Sequence, residues 1–174
     1  MNEPTEKFKD EGERVFDFSD EFLVECPKCR SLARVVIRRE DTRDVPLLYL
    51  SRKLVCSKCG LSKYWDEREV HGYQIGQGLK PGLNRFLKIG GNFDWYFQQP
   101  LWLQIECGGE TLWAYNEKHL VFIENYVAAK LRERTPNINR SLISRLPQWI
   151  KSAKNRDDIL KAIGKLKEKL NAGA

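Results

Sequence analysis

The sequence predicts an α+β fold: an all-β module at the N-terminal end, then a β-hairpin packed on C-terminal helices. Three observations carry this. Two Cys-x-x-Cys pairs bracket a stretch rich in β-branched residues. A Gly108-Gly109 pair separates two runs of alternating apolar residues. Apolar residues recur at helical spacing after Asn116 and again after Asn155.

Residues 1–20 read as an acidic arm, and residues 21–66 as the first unit. Phe22 to Glu25 leads into Cys26-Pro27-Lys28-Cys29. Leu32 to Arg39 reads as a strand and Glu40 to Pro46 as a turn. Leu47 to Val55 is a second strand, running into Cys56-Ser57-Lys58-Cys59-Gly60. Ser62 to Asp66, with Tyr64 and Trp65, is a third. Residues 67–92 hold six of the twelve glycines, together with Pro81, and read as a connector.

The second unit spans residues 93–174. Leu101, Leu103, Ile105 and Cys107 fall on one face of a strand, and Thr111 to Tyr115 returns as its partner. Asn116 is a good N-cap for a helix striped by Leu120, Ile123, Val127 and Leu131, which should run to about Arg134 and stop before Pro136. Ser141 to Ala153 looks helical but contains Pro147, which predicts a kink or two short pieces. Ile159, Ile163, Leu166 and Leu170 stripe a final helix, with Lys161, Lys165 and Lys169 on another face.

Length and composition fit one domain or two small packed ones: 174 residues, 41% hydrophobic and 31% charged. No run reaches the ~18 apolar residues of a membrane span. Met1 to Asp10 is polar, and five cysteines are awkward for a disulfide framework, so a cytoplasmic setting is expected. Charge is uneven. Residues 1–25 carry three basic and nine acidic side chains, whereas residues 128–174 carry twelve basic and four acidic. The acidic head reads as a solvated arm.

Cys26, Cys29, Cys56 and Cys59 form the strongest motif. Thiolates hold zinc tetrahedrally, and two residues between paired cysteines let a tight knuckle aim both sulfurs at one point. Gly60 suits a knuckle that needs positive φ. Lys28 and Lys58 partly offset the charge of four thiolates around one Zn2+. Four protein thiolates leave no position for water or substrate, so the expected zinc is single and structural. A redox dithiol is the weaker reading, because this segment reads as all-β.

The two knuckles resemble the transcription-factor-IIB-type zinc ribbon. Leu101-Trp102-Leu103-Gln104, Thr111-Leu112-Trp113-Ala114-Tyr115-Asn116, Leu131-Arg132-Glu133-Arg134 and Ser144-Arg145-Leu146-Pro147 through Arg156 are similar to a family of bacterial zinc-ribbon-containing proteins. The resemblance implies zinc and a bacterial cytoplasmic setting, and it implies no established activity.

Other residues are weighed singly. Cys107 lies on the apolar face of its strand and reads as a buried structural thiol. His71 and His119 lack spaced partners, and no convergent acid–base set is visible, so no enzyme is expected. Most aromatics read as core. Trp102 falls on the hairpin face opposite the leucines and is the best candidate for a partner-facing ring. The expected function is a non-enzymatic module that binds DNA or RNA, or joins a nucleic-acid machine. Arg34, Arg38, Arg39, Arg52 and Lys53 on the ribbon would meet the nucleic acid, with Arg140, Arg145, Lys151, Lys154 and Arg156 adding phosphate contacts. The alternative is a protein–protein adaptor whose basic face only solubilises it. Neither a membrane nor a small-molecule substrate is indicated.

Overall fold

In the computed structural model, which describes residues 7–41, 44–65, 72–75, 86–133 and 141–173, the first half of the chain is β-structure. A short strand β1 (Lys7–Lys9) precedes β2 (Glu21–Glu25), β3 (Leu32–Ile37), β4 (Arg52–Val55) and β5 (Ser62–Trp65). Strands β2 to β5 form one antiparallel sheet in sequence order. Alternation sorts its faces: Val35 and Leu54 pair and are buried, while Val36, Lys53 and Tyr64 form the adjacent rung on the outer face. The second strand is shorter than expected. Leu47–Tyr49 curls into a 3-10 turn, with Tyr49 N–H bonded back to Pro46 O at 2.8 Å, and the ladder starts only at Arg52.

Within the expected connector, β6 (Gly72–Ile75) pairs in parallel with β7 (Phe86–Ile89). His71 lies outside the described residues. The hairpin is β8 (Leu103–Cys107) and β9 (Glu110–Ala114), turned by Gly108 at φ 63° and Gly109 at φ 83°. A two-residue turn with both φ values positive matches the twist of the flanking strands, which is why glycines occupy it.

Asn116 caps helix α1 (Glu117–Ala128): its Oδ1 accepts the His119 N–H at 2.9 Å. Its Nδ2 donates to Phe18 O and Glu21 O, fastening the helix to the N-terminal segment. The helix stops short of the expected Arg134. Leu131–Glu133 is instead strand β10, in register with β1 from Lys7↔Leu131 to Lys9↔Glu133. Leu131 keeps helical spacing, and only a partner strand at the other end of the chain draws it out. Pro147 divides the next segment into α2 (Leu142–Arg145) and α3 (Gln148–Lys151), as its missing donor requires. The last helix, α4 (Arg156–Gly173), buries Ile159, Ile163, Leu166 and Leu170.

The acidic head is not a solvated arm in its described part. Val15 and Phe18 are in the core. Buried Asp10 accepts from Ser141 Oγ at 2.8 Å, and Leu142 N–H donates to Glu13 O at 2.7 Å. Apolar residues set among the acids, not the net charge, decide that this segment packs.

One continuous core joins the sheet to the second half of the chain. The free edge of β2 is covered by backbone bonds: Leu23 N–H to Tyr115 O at 2.7 Å, Trp102 N–H to Leu23 O at 2.8 Å, and Glu25 N–H to Pro100 O at 2.9 Å. Fully buried Trp95 meets Phe22 and Tyr115 edge-on at 5.0 and 5.3 Å. Buried Asp94 receives the Tyr96, Phe97 and Gln99 N–H groups and fixes the turn that carries these rings.

Candidate functional site

Strands β2 and β4 run in the same direction with β3 between them, so the turns that follow them lie at one end of the sheet. Those turns are the two cysteine knuckles. In the first, Cys26 N–H bonds to Ser31 O at 2.8 Å and Arg30 N–H to Cys26 O at 2.9 Å. In the second, Cys56 N–H bonds to Leu61 O at 2.9 Å and Gly60 N–H to Cys56 O at 3.0 Å. The four sulfurs lie within 4.8 Å of one another, with Cys26–Cys59 and Cys29–Cys56 each at 3.6 Å. A tetrahedron with metal–sulfur bonds of ~2.3 Å has edges of about 3.8 Å, so the cluster has the size of a tetrathiolate metal site. Among the described residues this is the one cluster of metal-ligating side chains so disposed.

The thiols are unequal. The Ser31 backbone N–H, with the Ser31 hydroxyl and two neighbouring thiols, holds Cys29 down at about 6 against desolvation. The Leu61 N–H favours the Cys59 thiolate, but desolvation and its three sulfur neighbours push that thiol up to about 11. The two thiols shift in opposite directions, as expected where like charges would meet without a cation. A divalent metal resolves that repulsion.

No family model, curated protein or solved structure matches the chain.

The expected basic residues separate into distinct groups. Arg34, Arg38 and Lys53 stand on the outer face of the sheet. Arg34 forms an ion pair with Glu21 at 2.6 Å, so part of its charge is met within the chain. Arg38 and Lys53 flank Tyr64, with Arg38 Cζ 5.0 Å and Lys53 Nζ 5.5 Å from the ring centroid. Tyr64 is 62% exposed. The sequence places Tyr64 in a strand, and its register opposite Lys53 puts both on one face. Arg39 is exposed just beyond the end of β3.

Arg52 corrects the expectation. It is fully buried, donating Nη1–H to Asp20 O at 3.0 Å and Nη2–H to Leu47 O at 2.9 Å, with its guanidinium 4.7 Å above Tyr96. Adjacent strand residues point to opposite faces, so Arg52 and Lys53 cannot share a surface. Burial lowers the Arg52 pKa, and the Tyr96 side chain opposes that shift.

On the C-terminal segment, Arg145 and Lys154 are exposed. Lys151 Nζ donates to Ser144 O at 3.1 Å, and Arg156 Nη2 to Ala129 O at 3.1 Å, so both brace local backbone. Arg140 lies outside the described residues. Trp102 is half-buried under the end of α4. Lys169 Nζ lies 4.5 Å from its centroid, and a Cβ on Gly173 would fall 2.9 Å from the ring. That ring is therefore covered by the chain itself, at the end of α4. Cys107 is buried, and desolvation pushes its thiol up. Among the described residues no helix is long and apolar enough to cross a membrane.

Proposed function

We propose that this chain is a non-enzymatic module in which one structural zinc fixes a ribbon whose outer sheet face binds nucleic acid. The observation that carries the reading is Tyr64, an exposed ring held between Arg38 and Lys53 on a sheet braced by the knuckles. Aromatic rings accept bases of any sequence by stacking, and cations beside them neutralise phosphate. Zinc would tie the two knuckles together and supply folding free energy. Cys26, Cys29, Cys56 and Cys59 would fill its coordination sphere, leaving no position for substrate. The likeness of the knuckles to the transcription-factor-IIB-type ribbon supports the zinc in this reading. Lys154 and Arg145 would add sequence-independent phosphate contacts at a second surface.

The test is fluorescence anisotropy with single-stranded DNA, duplex DNA and RNA across a salt series. Binding that weakens linearly with log salt is expected, tightest for single strands, whose bases are free to stack. No affinity for any of the three at low salt removes the proposal.

A further inference from the structure

The four cysteines of the knuckles occupy two kinds of position. In each knuckle the first cysteine closes the ladder, with its N–H on Ser31 O or Leu61 O, and the second sits in the turn beyond it. Cys26 and Cys56 are accordingly buried, at 1% and 3% exposed, whereas Cys29 and Cys59 are half-buried. Two sulfur contacts cross from one knuckle to the other, Cys26 to Cys59 and Cys29 to Cys56, each at 3.6 Å. Each contact therefore joins one inner cysteine to one outer cysteine. An oxidant arriving from solvent meets the outer member of a pair first, with the inner member in contact behind it.

Sulfurs so placed need to close by only about 1.5 Å to reach the ~2.05 Å of a disulfide bond. Which pair closes decides what the sheet keeps. A bridge within one knuckle, Cys26 to Cys29 or Cys56 to Cys59, constrains a single turn and leaves the two turns unconnected. A bridge across the knuckles ties the β2–β3 turn to the β4–β5 turn, which is the connection a bound metal makes.

We propose that the cluster is a peroxide-responsive switch: oxidation releases its zinc and leaves the ribbon closed by two disulfides, Cys26–Cys59 and Cys29–Cys56. The switch rests on the zinc reading above. In each pair the outer thiolate attacks one peroxide oxygen, the O–O bond breaks, and a sulfenic acid and a hydroxide result. The inner thiolate then attacks the outer sulfur, forms the S–S bond and expels a second hydroxide. Each bridge passes two electrons to one peroxide, so two peroxides consume all four thiolates and give four hydroxides, which solvent protonates to water. The metal is left without ligands and departs as Zn2+.

The test adds hydrogen peroxide to the zinc-loaded chain, whose metal content is first counted by native mass spectrometry. A chromogenic chelator follows zinc release, and non-reducing tryptic digestion maps the bridges. Lys28 and Lys58 lie between the cysteines of each pair, so trypsin separates all four and every pairing gives its own linked mass. The expected result is loss of the bound zinc with Cys26–Cys59 and Cys29–Cys56 as the dominant bridges, buried Cys107 still a free thiol, and zinc rebinding after dithiothreitol. The oxidised chain should unfold cooperatively, whereas the reduced chain stripped by a chelator should not. Bridges within a knuckle, the pairing of Cys26 with Cys56 and Cys29 with Cys59, zinc release without bridging, or zinc retained in excess peroxide would each overturn the switch and leave the zinc reading intact. A chain that holds no zinc before peroxide is added would remove the zinc reading, and the switch with it.

Discussion

Arg30 and Gly60 hold the same place in the two knuckles. Each lies four residues after the first cysteine of its pair, and each turns left-handed, at φ 59° and 70°. Each also returns its N–H to that cysteine's carbonyl, at 2.9 and 3.0 Å. The two turns are copies, and only one carries the residue that such a conformation favours.

Replacing Arg30 with glycine should therefore stabilise the zinc-loaded chain. Relief of left-handed strain is worth about 1–2 kcal/mol, and the added freedom of glycine in the unfolded chain takes back about 0.5–1 kcal/mol. Urea unfolding should show a net gain of up to about 1.5 kcal/mol for Arg30→Gly and a loss for Gly60→Ala. A loss in Arg30→Gly would mean that the arginine side chain has a role that outweighs the strain.

Arg52 and Lys53 are neighbours with opposite expected phenotypes. Arg52→Met removes the donors of Asp20 O and Leu47 O and vacates the face of Tyr96, and should cost about 2–4 kcal/mol in chemical denaturation. Lys53→Met should change stability by under about 0.5 kcal/mol, because it is a surface substitution. Equal effects would contradict the assignment of faces.

Tyr64→Ala should weaken single-strand binding about tenfold or more without affecting stability, since stacking one base on an aromatic ring is worth about 1–3 kcal/mol. Lys53→Met should reduce the slope of log affinity against log salt by about 1. Unchanged anisotropy titrations in both variants would remove this face from the interface.

His119 gives a pH dependence of definite sign. Burial lowers it from 6.5 to about 3 in the folded chain. Between those values the unfolded chain binds a proton that the native state refuses. Unfolding free energy should thus rise with pH across this window, by up to about 1.4 kcal/mol per unit, and be flat above it. Raised Asp94, at about 6 against an ordinary 3.8, acts in the opposite direction between those two values: its contribution falls as pH rises. Comparison of the wild type with His119→Gln isolates the histidine, and the difference between them should shrink as pH falls below 6.5. A constant difference would mean that His119 titrates normally.

What could be read from sequence follows from how local each signal is. The knuckles, the Gly108-Gly109 turn, the Asn116 cap and the break at Pro147 each depend on a few adjacent residues, and each was legible. The end of α1 was not, because Leu131 leaves the helix to pair with Lys7. Charge alone groups Arg52 with Lys53, although strict alternation along β4 bars them from one face. Trp102 is covered and not partner-facing, because the helix that covers it comes from the far C-terminus. A cavity lined by residues of β9, α1, the Gly90–Asn92 loop and the α2–α3 segment had no local signal, because its walls lie far apart in the sequence.

The central claim is that Cys26, Cys29, Cys56 and Cys59 close on one zinc that holds the sheet. Native mass spectrometry of the protein purified without chelator tests it directly, with Cys59→Ser measured alongside. One zinc per chain is expected, lost in the variant together with cooperative unfolding at the wild-type temperature. A metal-free wild-type chain that unfolds cooperatively and is indifferent to the loss of Cys59 would contradict it.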